Sequence, residues 1–224
     1  MQWIVKISLV LHVVAGVTAL FVAPVAMALK KGGQGHRNWG LTFFWAMTVI
    51  FITALFLSTV QWSPFLLMIA VFSYYSVFSG YRWKFLKNLH RGQSVKWYDW
   101  GALVLNVTFN LSFITWGFFL AVKSDALGVA FLAMGFGLFG VFLSVDNLLL
   151  FLKPHAPQAW LYQHLGGMVG GFIATVTAFS SQFMNFIPEW LQWSWPSAMG
   201  IPLIFYWSAS YRRKSKSSKT VASQ

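Results

Sequence analysis

Long apolar runs alternate with short polar breaks along the chain, and the run lengths predict its elements. Seven stretches meet or approach the roughly 20 residues that a membrane-spanning helix needs. They are expected at about Trp3–Leu29, Asn38–Val60, Phe65–Leu86, Trp100–Val122, Ala126–Leu152, 159–187 and Trp193–Tyr211. The breaks carry turn chemistry: a basic, Gly-rich connection over 30–37, Gln61-Trp62-Ser63-Pro64, a basic stretch over 82–96, Lys123-Ser124-Asp125, and Lys153-Pro154-His155-Ala156-Pro157. The first run exceeds the 7 to 15 apolar residues of a signal-peptide core and is read as a retained helix. The pattern predicts an all-α polytopic transmembrane bundle of seven helices over 1–211, followed by a Ser/Lys-rich disordered tail over 212–224.

Composition strengthens this reading. With 58% hydrophobic and 9% charged residues, the chain has too little polar surface to cover a soluble globule. Its net charge of +12 does not point to nucleic acid, because the cations gather at the ends of apolar runs. Seven spans put the termini on opposite sides. With the N-terminus outside, only Lys6 and Lys123 of the 16 Lys and Arg residues face outward, so the positive-inside rule predicts N-out and C-in. The cytoplasmic rim is expected to meet anionic lipid head groups. The absence of cysteine excludes thiolate catalysis, Cys-ligated zinc and iron–sulfur clusters.

The candidate chemistry centres on Tyr162-Gln163-His164-Leu165-Gly166-Gly167-Met168-Val169-Gly170-Gly171. At helical spacing His164, Gly167, Met168 and Gly171 share a stripe, an imidazole beside a flat surface. Asp146, on the preceding helix, reads as the carboxylate within the membrane, where a charged Asp costs about 2.5–3.5 kcal/mol and needs a partner. At 1.5 Å per residue Asp146 lies about 10 Å and His164 about 8 Å below the inner boundary. The two are therefore expected to pair, with Asp146 orienting His164 toward a metal or haem iron.

Four readings follow. Gly167 and Gly171 form a small-residue packing face and His164 merely bonds Asp146. Alternatively they admit a flat macrocycle, giving a redox protein with a b-type haem whose second ligand is His36 or His90. A third reading is a metal-dependent membrane hydrolase with His36, His90 and His164 around a divalent ion. The fourth is a proton-coupled carrier using Asp146 and His164. His12 is expected to be a hydrogen-bonded packing residue, and Asn106 and Asn110 to bond across helices.

Three segments carry a resemblance: Leu11-His12 with Gly16, Lys31-Gly32-Gly33 through His36-Arg37-Asn38-Trp39-Gly40, and His164 to Met168 running on to Thr177-Ala178-Phe179. On these the chain resembles an uncharacterised family of bacterial integral membrane proteins, known only as a domain of unknown function. The resemblance implies a multi-pass protein of the bacterial inner membrane and implies no activity.

Overall fold

The computed structural model describes residues 2–123, 126–153 and 155–221, with the side chains of 189 and 214–221 excepted. The described residues form seven α-helices and no strands. These are α1 (Gln2–Ala28), α2 (Gln34–Val60), α3 (Pro64–Trp83), α4 (Trp97–Lys123), α5 (Leu127–Leu152), α6 (Ala159–Phe183) and α7 (Glu189–Val221). A single 3-10 turn, Leu89–Arg91, interrupts the connection between α3 and α4. Parts of two predicted breaks, residues 124, 125 and 154, lie outside the described residues, as do 222–224 of the tail.

Local chemistry explains where the ends differ from expectation. α2 starts at Gln34 rather than near Asn38, because Gln34 bonds Asn38 (2.8 Å) and Arg37 (2.8 Å), pairs that steady a first turn. That shift puts His36 on the helix. α4 starts at Trp97 rather than Trp100, because the Asp99 carboxylate reaches back to the Lys96 N–H (3.1 Å) and satisfies an otherwise orphaned donor. α7 continues to Val221 where a disordered tail from 212 was expected. The chain after Pro202 contains neither Pro nor Gly to stop it.

Polarity is distributed as a bilayer demands. Large apolar residues such as Ile7, Val14, Phe21, Phe118, Phe131 and Phe142 face outward. Thr53, Ser76, Asn106, Asn110, Ser144, Asn147 and Ser180 are buried. In water the outer surface would be an extreme apolar patch, whereas hydrocarbon solvates it and leaves polar groups to find partners inside. Five helices, α1 to α5, are long and apolar enough to cross a membrane. α6, expected as a span, has the length at 25 residues, but its glycines and polar residues dilute its apolarity.

α1, α2, α3 and α6 pack as a closed ring, each against the next, so that α2 and α6 sit on a diagonal. α7 packs on the outside of α6, and the α4–α5 hairpin packs on α3. The closest backbone approach in the ring is between α3 and α6. A methyl added at Gly167 would lie 2.5 Å from the Ser76 carbonyl oxygen and 2.6 Å from Gly80 Cα, and one at Gly171 would collide with Val77. Helices meet this closely only where side chains are missing. In the α4–α5 hairpin Asn106 donates to Ser144 (2.8 Å) and Asn110 donates to the Asn106 carbonyl (2.7 Å), with Gly137 and Gly140 making room. Both asparagines are buried, but only Asn106 bonds across helices as expected, while Asn110 bonds Asn106 within α4.

Candidate functional site

A cleft opens at one end of the ring, with a cavity volume of about 100 Å³. Its floor is apolar, from Ala23, Phe43, Val169 and Phe172. Its polar lining comprises His36, His164, Tyr81, Arg37 and Lys84, and Met27 and Met168 add two thioethers.

The two histidines are held in the same way. The last four carbonyls of a helix have no partner within it. His164, on α6, meets the carbonyl of Gly80 in the last turn of α3 through Nδ1 (2.9 Å). His36, on α2, meets the carbonyl of Ala26 in the last turn of α1 through Nδ1 (2.8 Å). A carbonyl only accepts, so each Nδ1 must carry the proton, and in the neutral ring each Nε2 keeps a bare lone pair. The ring centroids are 6.3 Å apart and the planes are nearly perpendicular, at 82°. The C-terminal ends of α1 and α3 meet the N-terminal ends of α2 and α6 here, so the partial charges of the helix ends offset one another.

Other sequence-predicted residues fall elsewhere. Asp146 accepts a hydrogen bond from Gln163, the neighbour of His164, and not from His164 itself. The expected His164–Asp146 contact is therefore absent among the described residues. α6 turns His164 toward α3 and leaves Gln163 to reach α5. Gly167 and Gly171 are covered by Ser76, Val77 and Gly80, so the glycine stripe is a helix-packing face and offers no bed for a macrocycle. His90 lies away from the cleft, beside His155, with ring centroids 6.4 Å apart. His36, His90 and His164 therefore do not converge, and among the described residues no three His, Asp or Glu side chains are grouped to hold one metal ion. His12 bonds Thr53 through Nδ1 (2.9 Å), a packing role.

Sequence reasoning missed the cationic side of the cleft, Arg37 and Lys84, which had been counted only as topological charge. It also missed a buried ion pair: Arg82 holds Asp99 by two bonds, Nε to Oδ1 (2.7 Å) and Nη2 to Oδ2 (3.0 Å), and stacks over Tyr98 at 4.5 Å. The available signal was a lone acidic residue at the start of an apolar run that follows a basic connection.

The end that bears the cleft is ringed by cations lying on aromatic faces. Lys84 sits 3.7 Å from the Tyr81 ring centre, Lys87 4.6 Å from Trp160, Arg212 5.3 Å from Tyr162 and Lys31 5.5 Å from Trp207. Compared with protein-family models, with curated proteins and with solved structures, the chain matches none.

Proposed function

We propose that the protein is a redox protein of the bacterial inner membrane that binds one b-type haem in the cleft. The observation that carries this reading is the His36–His164 pair, two imidazoles on diagonal helices that line one cleft, each with Nδ1 tied to backbone and Nε2 left for an iron. His36 and His164 would hold the iron through Nε2. Arg37 and Lys84 would pair with the propionates, and Ala23, Phe43, Val169 and Phe172 would supply the apolar contact that haem requires. A haem so bound supplies one-electron transfer. The protein's own part is to fix both ring orientations before the group arrives, which lowers the ordering cost of binding.

The hydrolase reading needs a third histidine that the cleft does not contain, and the carrier reading needs Asp146 and His164 in one relay. Neither gains support. In the proposed orientation the N-terminus is external and the C-terminus cytoplasmic, which turns the basic, aromatic rim and the cleft toward the cytoplasm and its anionic lipid head groups.

The test is purification from haem-replete cells, followed by haemin titration and optical spectroscopy. A Soret band with the spectrum of a six-coordinate low-spin haem is expected, lost in His36→Ala and in His164→Ala but kept in His90→Ala. No Soret band after titration, or one unchanged by both cleft substitutions, overturns the reading.

A further inference from the structure

Outside the cleft, the structure brings together a second pair of histidines that are far apart in sequence. His90 stands on the single 3-10 turn between α3 and α4, and His155 on the connection between α5 and α6. Their ring centroids are 6.4 Å apart with the planes at 66°. Both rings are half-buried.

Each ring is presented by a backbone that is already fixed. Gln93 clamps the His90 segment from both sides, accepting from the Asn88 N–H (3.1 Å) and donating to the Phe85 carbonyl (2.7 Å). His155 meets the Lys153 carbonyl through Nδ1 (3.1 Å), so Nδ1 carries the proton and Nε2 is bare in the neutral ring. The His155 ring also stands on the edge of Trp83 (centroids 6.2 Å apart, planes at 86°), and Trp83 is locked by its Nε1–H to Asn147 (2.5 Å). Among the described residues the His90 ring makes no hydrogen bond, which leaves it free to turn a nitrogen toward its neighbour.

We infer that His90 and His155 form a second metal site, independent of the cleft, that takes one square-planar divalent ion of the Cu²⁺ type with the imidazoles trans and water in the remaining positions. The ring centres stand 6.4 Å apart, which leaves room for one ion between them. Imidazole with oxygen donors in a tetragonal array suits Cu²⁺, which also heads the divalent affinity order. The bound ion would clip the α3–α4 connection to the α5–α6 connection.

The experiment is a Cu²⁺ titration of the purified full-length protein in detergent at pH 7.5, read by electron paramagnetic resonance and by melting temperature. One equivalent giving a tetragonal signal with coupling to two nitrogens is expected, together with a rise in melting temperature. His90→Ala and His155→Ala should each reduce the signal to that of a single nitrogen and remove the thermal shift. A His36→Ala, His164→Ala double variant should keep both, which separates this site from the haem reading whether or not haem binds. Retention of the two-nitrogen signal in either rim variant, or its loss in the cleft variant alone, overturns the inference. A Zn²⁺ shift equal to that of Cu²⁺ overturns the assignment of geometry.

Discussion

Replacing Gly167 by Ala should loosen both the bundle and the site, by an amount that the α3–α6 contact allows to be worked out. The new methyl would lie 2.5 Å from the Ser76 carbonyl oxygen, 2.6 Å from Gly80 Cα and 2.8 Å from Gly80 N. All three are backbone atoms, so no side chain can rotate away. Restoring an ordinary contact of 3.4 Å requires the helices to part by about 0.9 Å, the difference between 3.4 and 2.5 Å. The same movement would stretch the His164–Gly80 hydrogen bond from 2.9 Å past any useful length. Overpacking of this kind costs about 1–3 kcal/mol. The lost bond adds about 0.6 kcal/mol, the mean for interhelical bonds in membranes. Together these predict a fall in melting temperature on the order of 4–12 °C for a chain of this size. Gly166 is the control, since nothing lies within 4 Å of a methyl there and Ala is the better helix former. Thermal unfolding in detergent should show Gly167→Ala well below wild type and Gly166→Ala at or above it. Equal melting of the two variants would mean that α3 and α6 do not meet at these glycines.

Further outcomes follow from other contacts. Arg82→Ala should destabilise the protein by about 3–5 kcal/mol, since it strands the buried Asp99 carboxylate, Asp99→Ala should cost less because Arg82 is partly exposed and keeps its contact with Tyr98, and the double variant should cost less than the sum; strict additivity in thermal melts would refute the ion pair. Double-mutant cycles should find Asp146 coupled to Gln163 and additive with His164, the reverse of what depth-matching along the sequence implies. Because the chain has no cysteine, Gln2→Cys and Gln224→Cys can be probed without background. An impermeant maleimide should label the first in intact cells and the second only after permeabilisation, and the opposite pattern would reverse the proposed orientation.

The elements were legible because membrane helices announce themselves by length and apolarity, and the first six predicted runs coincide with helices to within a few residues, whereas α7 runs ten residues past its expected end. Partnership was not legible. Consecutive helices were expected to pair, yet α6 lies against α3, and the bond from His164 to Gly80 spans 84 positions. A stripe of small residues states that something comes close without saying what, so Gly167 and Gly171 read equally well as a packing face or as a ligand bed. His36 was recognised as a candidate, but its place depended on α2 beginning at Gln34, which the Gln34–Asn38 and Gln34–Arg37 bonds decide. The cations of the cleft were hidden in plain view: the positive-inside pattern accounts for Arg37 and Lys84 so completely that no residue count could separate them from the rest of the rim.

That 84-residue bond also bears on how the protein is made. Ribosomes deliver α1, α2 and α3 first, and these carry His36, the Ala26 carbonyl and the Gly80 carbonyl. The α4–α5 hairpin is inserted next and settles against the far flank of α3, contributing nothing to the cleft. Only when α6 emerges does the fourth wall arrive, and its glycine face must slide into a slot that has stood open to lipid throughout the intervening synthesis. A nascent chain halted before Ala159 can hold all five of its most apolar helices in the bilayer and still possess one imidazole where the proposed haem site calls for two. Competence is thus conferred late and at a single event, the docking of α6.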